Sequence, residues 1–128
     1  MKVFLQSTKT YLTAFLPSML WALLIFFLSN REILPGFSIS LLDFLFKKLA
    51  HIFVYAILYL LLFQGLIKIK IKESKPKLYL LPLFICFLYA LSDEFHQSLV
   101  AGRTANLRDV AYDMLGSSII MLNKLDYI

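Results

Sequence analysis

The sequence predicts an all-α integral membrane protein, a bundle of about four transmembrane helices. The 128 residues are 60% hydrophobic with a mean hydropathy of +0.77, whereas soluble domains are about 45–50% apolar. Apolar runs near the length that crosses a bilayer recur along the chain, separated by charged segments. The twelve Phe and seven Tyr suit a lipid-facing surface with aromatic rings at its edges.

The basic character of the chain also fits a membrane. The formal net charge is +5 and the isoelectric point about 9.4. Because the lysines cluster beside apolar runs, they indicate membrane orientation and contact with anionic lipid rather than nucleic acid, for which the sequence has no motif. The single cysteine, Cys86, excludes an intrachain disulfide. We therefore expect membrane lipids as partners, no nucleic acid and no cofactor.

The first transmembrane helix is predicted over residues 11–28, which carry no charge. At about 1.5 Å per residue this run just spans a hydrocarbon core of about 30 Å, and a membrane helix tolerates a residue such as Pro17. Lys2 and Lys9 before an apolar stretch resemble a signal peptide, but no small-residue cleavage site follows. We therefore expect this helix to remain uncleaved.

Three further helices are predicted after a loop at about 29–47, which has a turn at Pro35-Gly36 and a short interfacial helix within 37–46. The third helix spans only if it continues through polar residues, because its strictly apolar part ends at Leu91. The fourth is the shortest apolar run, and Asp113 interrupts it. The helices are predicted at 49–67, 78–99 and 106–122, with a basic loop at 68–77, in one domain over residues 1–128.

The distribution of lysine and arginine predicts the orientation of the helices. Four spans put the N-terminus, the 68–77 loop and the C-terminus on one side with eight basic residues, against five on the other side. By the positive-inside rule both termini are expected to be cytoplasmic. The start of the second helix, the end of the third and the start of the fourth then share the outer face.

Each of these three helix ends carries one stripe of polar residues. Positions three or four apart share a helix face, and bundles build sites from side chains on facing helices. We therefore expect one polar site, with a glycine that lets a neighbouring helix approach closely. The stripes are Lys48, His51 and Tyr55 on the second helix, Asp93, His96 and Gln97 on the third, and Asp109, Asp113 and Gly116 on the fourth.

The candidates for catalysis lie on the third helix. His96 with Asp93 and Glu94 can pass protons near neutral pH. The alternative is a charged network that pairs with Lys48 or an arginine and fixes helix packing. We expect no metal ion, because no His-x-x-x-His or cysteine pair provides a ligand skeleton. Asp113 is expected to be a hydrogen-bonding partner between helices.

The other polar residues are candidates for binding. Arg103 follows Gly102, and its guanidinium can hold phosphate or carboxylate through two hydrogen bonds; a salt bridge to an acidic residue is the alternative. For Asp109, the alternative to binding is an interaction with the dipole at a helix start. For His51, it is a structural role in helix packing. The predicted binding residues are Lys48, His51, Tyr55, Gln97, Arg103 and Asp109.

Three motifs follow one another along the chain: Lys48-x-x-His51-x-x-x-Tyr55, then Ser92-Asp93-Glu94-x-His96-Gln97, then Gly102-Arg103 followed by Asp109-Val110 and Gly116. In this order and spacing they resemble the VanZ-like family over roughly residues 15–122, and the resemblance leads us to expect the chain in a bacterial plasma membrane. The chain departs from the family pattern in Ala101, where proline is frequent, in Asp113, where asparagine is frequent, and in Ile120, where a small residue is frequent.

The resemblance implies an integral membrane protein of the cell envelope with a link to glycopeptide (teicoplanin-type) antibiotic resistance, and it implies no particular reaction. We expect the polar site to bind an anionic headgroup, that of a lipid-linked cell-wall precursor or of the glycopeptide. The alternative is a membrane enzyme acting on a lipid-linked phosphate, with His96 as base, Glu94 or Asp93 as its partner and Arg103 as the phosphate clamp. A transporter ranks last, because the polar residues gather on one side of the membrane.

Overall fold

The computed structural model describes residues 2–30, 40–69, 74–101 and 105–127. Within these ranges all regular structure is α-helical, so the predicted all-α bundle is confirmed. Successive helices run in opposite directions, as the hydrogen bonds of Lys68 with Thr13, Tyr59 with Tyr79 and Asn106 with Glu94 show. The helices are α1 (Lys2–Ser29), α2 (Ser40–Lys68), α3 (Lys75–Ser98) and α4 (Leu107–Lys124).

The starts of α3 and α4 follow from local chemistry. A proline lies at the first turn of α3, where its missing N–H would have had no partner within the helix. At the start of α4, the side-chain oxygen of Asn106 accepts a hydrogen bond from the N–H of Arg108 at 3.0 Å and caps the helix. The C-terminal end of α3 confirms a prediction, because the helix continues through the polar motif to Ser98.

The start of α2 corrects the prediction of a separate interfacial helix within 37–46. The helix begins at Ser40 and continues unbroken to Lys68. No Pro or Gly interrupts residues 40–49, and Asp43 pairs with Lys47 one turn later at 2.7 Å, which favours helix there. The predicted turn at Pro35-Gly36 lies outside the described residues.

The core lies along α2, which packs against each of the other three helices and most extensively against α4. A Cβ atom placed on Gly116 would lie 2.0 Å from the carbonyl oxygen of Ile52, so the backbones of α4 and α2 are in direct contact there. This confirms the expected role of the glycine. The buried core is formed by Tyr55, Leu58, Tyr59, Leu62 and Phe63 of α2 with Ile25 of α1, Cys86 and Ala90 of α3, and Val110 of α4.

The outer surface of the bundle is apolar, as a lipid-facing surface requires. Large side chains such as Leu20, Phe53 and Phe84 are more than half exposed. Within the described residues, three helical segments are long and apolar enough to cross a membrane: Lys9–Ser29, Leu41–Lys68 and Pro76–Ser98. α4, with 18 residues and charged side chains in its first two turns, is not among them.

Candidate functional site

The polar residues of the predicted stripes meet at one end of the bundle, where α1 and α3 end and α2 and α4 begin. We call this group, with its contacts, the polar layer. Three of its carboxylates are almost completely buried: Asp93 is 6% exposed, Glu94 4% and Asp113 0%. Burying such groups is costly unless they are paired or hydrogen-bonded, so their partners decide what the layer can do. The polar layer consists of Ser29, Lys48, His51, Tyr55, Asp93, Glu94, His96, Gln97, Asn106, Asp109 and Asp113.

Two charged contacts join α2 to α4. The amine of Lys48 donates a hydrogen bond to Asp109 Oδ1 and forms an ion pair with it. One turn deeper, His51 Nδ1 lies 2.8 Å from Asp113 Oδ1, while His51 Nε2 lies 3.9 Å from Asp109 Oδ2. His51 therefore stands between two aspartates of α4, and the predicted stripes on these helices face each other.

Aromatic rings enclose the amine of Lys48. Its nitrogen lies 5.5 Å from the ring centroids of both Phe44 and Tyr112, within the range of a cation–π interaction. The side chain is 18% exposed, and that of its partner Asp109 is 13% exposed. The charge of Lys48 is therefore held at the edge of the layer, near the surface of the bundle.

A second set of hydrogen bonds joins α3 to α1 and to the start of α4. The side-chain amide of Gln97 donates to Asp93 Oδ2 at 3.0 Å, and lies 3.4 Å from the hydroxyl of Ser29 at the end of α1. The backbone N–H of Asn106 donates to Glu94 Oε2 at 2.7 Å. Glu94 therefore ties the end of α3 to the residue that caps α4.

Several buried polar atoms of the layer have no hydrogen-bond partner among the described residues. They are Tyr55 Oη, Glu94 Oε1, His96 Nε2 and Asp113 Oδ2. Glu94 of α3 accepts from the N–H of Asn106 at the start of α4, and Asp113 lies two turns further along α4, so the carboxylates of both helices lie at this end of the bundle. A buried acceptor without a donor destabilises the folded protein. A ligand that supplies a donor would remove this cost.

The two histidines have different surroundings. The ring of His96, the predicted base, packs against Phe26 of α1, with ring centroids 4.6 Å apart. A ring nitrogen of His51, in contrast, contacts the carboxylate of Asp113. In this geometry Asp113 orients His51. The two residues form an acid–base pair between α2 and α4.

The structure brings together most of the predicted site residues. The two described histidines, the lysine, the carboxylates and Gln97 all lie in the polar layer. The hydroxyl of Tyr55 is buried, and its backbone carbonyl accepts a hydrogen bond from Ser117 at 3.3 Å. Asp109 lies in the first turn of α4 and thus has a favourable dipole position as well as an ion pair. Gly102 and Arg103 lie outside the described residues.

Sequence reasoning did not single out Ser29 and Asn106 as members of the layer. Ser29 ends α1, and nothing in the sequence relates it to Gln97, 68 residues away. Asn106 did carry a signal, because asparagine before an apolar helix is a preferred capping residue. Among the described residues, no group of three His, Cys, Asp or Glu side chains is arranged to hold a metal ion.

Comparison with known proteins gives one match. A family model described as VanZ/LLP1 matches residues 2–123, nearly the whole chain. No curated protein and no solved structure matches the chain. The family match agrees with the three motifs, whose described polar residues lie in the polar layer, and with the three apolar helices. The chain belongs to the VanZ/LLP1 family and is a VanZ-like membrane protein.

Proposed function

We propose that this VanZ-like protein binds a polar headgroup at the polar layer and thereby changes the response of the cell envelope to teicoplanin-type glycopeptides. The ligand is the headgroup of a lipid-linked cell-wall precursor or the glycopeptide itself. The protein lies in a bacterial plasma membrane with both termini in the cytoplasm, so the polar layer faces the outer leaflet.

The observation that supports this proposal most is the buried polar layer at one end of an apolar bundle, in which several acceptors have no donor among the described residues. A structural network alone would be expected to satisfy its own buried groups. Lys48 supplies a positive charge at the edge of the layer for an anionic group. Arg103, which lies between α3 and α4 in the sequence, is expected to provide a second contact to the anion through its guanidinium.

The proposal is tested in a glycopeptide-susceptible bacterium that expresses the full chain. We expect expression to raise the inhibitory concentration of teicoplanin, and Glu94→Gln and Lys48→Gln to remove the effect at equal protein level. Asp43→Asn is the matched control, because it removes a negative charge from α2 outside the polar layer. If the wild type leaves susceptibility unchanged and purified protein binds no lipid-linked precursor, the proposal is wrong.

A membrane enzyme acting on a lipid-linked phosphate is the second candidate, and the contact between His51 and Asp113 favours it. A carboxylate that orients an imidazole is the usual partner of a general base. The structure supports His51 rather than His96 in this role. Purified protein would then release phosphate from lipid pyrophosphate substrates, and His51→Gln would lower the rate at least about a hundredfold. Equal rates in wild type and variant exclude this role.

A further inference from the structure

The carboxylate of Asp109 lies between two basic side chains of α2. Its Oδ1 accepts a hydrogen bond from the amine of Lys48, and its Oδ2 lies 3.9 Å from Nε2 of His51. Lys48 and His51 are three residues apart on α2 and therefore share a face of that helix. One carboxylate group from α4 thus reaches both side chains with its two oxygens.

The two nitrogens of the His51 ring have different contacts. Nδ1 lies 2.8 Å from Asp113 Oδ1, a hydrogen-bond distance that fixes the orientation of the ring. The 3.9 Å from Nε2 to Asp109 Oδ2 is longer than a hydrogen bond, although it lies within the range of an ion pair. Nε2 is therefore the ring nitrogen with which His51 can meet a ligand beside Lys48.

Two carboxylates of α4 face two basic groups of α2 in this contact, since Asp113 pairs with His51 and Asp109 with Lys48. The buried carboxylates of α3 accept hydrogen bonds from a side-chain amide and a backbone N–H instead. A further anion between Lys48 and His51 requires one of the two aspartates to leave. The side chain of Asp109 is 13% exposed and that of Asp113 only 1%, so Asp109 is the one at the edge.

We propose that Asp109 occupies the anion subsite of the polar layer, and that a phosphate or carboxylate group displaces it and binds between Lys48 Nζ and His51 Nε2. The inference rests on the proposed function and specifies where the anion binds and what it displaces. Lys48 donates N–H hydrogen bonds, and His51 donates one when Nε2 carries a proton. The oxygens of a phosphate are further apart than those of a carboxylate, so a phosphate fits the long contact to Nε2 better than Asp109 does.

The exchange needs little movement of the binding groups. The ring centroids of Phe44 and Tyr112 both lie 5.5 Å from the amine of Lys48 and hold it in place. Asp109 lies in the first turn of α4, where the helix dipole favours a carboxylate even without Lys48. The side chain of Asp109 is therefore the part that has to move, and a predicted binding residue becomes a competitor of the ligand.

The test measures binding to the full chain in detergent by native mass spectrometry with three probes. Phosphatidic acid carries a phosphate, oleate carries a carboxylate, and diacylglycerol has acyl chains without an anion. We expect Asp109→Asn to bind phosphatidic acid at least about tenfold more tightly than the wild type, because the ligand no longer competes with a charged partner of Lys48. Loss of folded protein cannot produce this gain. A larger gain for phosphatidic acid than for oleate assigns the subsite to a lipid phosphate, and the reverse assigns it to a carboxylate such as that of a glycopeptide; both support displacement.

Asp43→Asn is the matched control, because it also removes the charged partner of a lysine on α2, but in a more exposed pair outside the polar layer. We expect it to leave the binding of both anions unchanged. Lys48→Gln should abolish the gain in the Asp109→Asn chain, and His51→Leu should reduce it. The inference is wrong if Asp43→Asn gives the same gain, if diacylglycerol shows it too, or if Asp109→Asn binds both anions no better than the wild type. Each of these results leaves headgroup binding intact, whereas binding of neither anion by either protein would contradict both proposals.

Discussion

The ion pair of Lys48 and Asp109 shows how the contribution of a contact to stability depends on its exposure to water. Their side chains are 18% and 13% exposed, so water can replace a missing partner only in part. The pair of Asp43 and Lys47, one turn earlier on α2, has the same chemistry but is 25% and 41% exposed. Exposed pairs within a helix contribute only about 0.3–0.5 kcal/mol, whereas breaking a buried pair typically costs about 3–5 kcal/mol.

We predict that Asp109→Asn lowers the free energy of unfolding by about 2 kcal/mol, between the values for exposed and buried pairs, because it leaves the part-buried amine of Lys48 without a counter-charge. Lys48→Met in the same chain should recover at least about 1 kcal/mol, because the unpaired charge is then gone. Unfolding in mixed micelles measures both. The Asp43→Asn and Lys47→Met pair serves as the exposed control and should show coupling below about 0.5 kcal/mol. Additive losses at Lys48 and Asp109 would contradict the prediction.

At the scale of elements, the contact between α2 and α4 positions the site. Gly116 allows the two backbones to touch at Ile52, and the hydroxyl of Ser117 donates to the carbonyl of Tyr55 one turn further. In the other direction along α4, Asp113 and Asp109 reach the polar residues of α2. One close helix contact thus sets the distances of both charged pairs, since each lies within two turns of the glycine.

We predict that Gly116→Ala separates α2 from α4 and lowers stability by about 2–3 kcal/mol, because the new Cβ would lie 2.0 Å from a backbone carbonyl that cannot turn away. Thermal unfolding in detergent gives the change in stability. The variant should also bind the proposed headgroup ligand of the polar layer more weakly than the wild type.

Gly65→Ala is the control for this prediction. Its Cβ would meet chiefly the ring of Phe15, at 2.7 Å, and a side chain at the α1 contact can move aside. We expect a smaller loss of stability and an intact polar layer. A Gly116→Ala protein as stable as Gly65→Ala would show that α4 does not depend on this contact.

For the whole molecule, the membrane takes over part of the role of a core. The exposed side chains of α1, α2 and α3 are mostly large and apolar, and lipid covers them at no cost in hydrogen bonds. α4 differs, because its polar first turns are covered by α2 and α3 rather than by lipid. Its partners therefore determine its depth in the membrane, and its 18 residues correspond to about 27 Å of helix at about 1.5 Å per residue.

We predict from the distribution of lysines that the polar layer lies at the outer face and both termini at the cytoplasmic face. In a chain with Cys86→Ala, single cysteines at Asn30 or Ala101 should react with a membrane-impermeant maleimide in intact cells. Cysteines at Lys9 or Lys124, at the opposite end of the bundle, should react only after lysis. Cys86 is 0% exposed, so we expect no labelling of this residue in the wild type either. Labelling at Lys124 in intact cells would show that α4 returns to the outer face instead of spanning.

The sequence by itself determined the helical membrane bundle, the family, and the three polar stripes, because hydrophobic run length and helical spacing are local properties of the chain. It missed the start of α2 at Ser40, since a proline–glycine turn nearby suggested a longer loop. The tertiary structure decided which stripe faces which. It brought His51 to Asp113 and His96 to Phe26, and it left oxygens of Glu94 and Asp113 without donors among the described residues. These pairings depend on the depth and rotation of each helix, which are set by close contacts between helices such as that of Gly116 with Ile52. The spacing of residues along one helix does not contain this information.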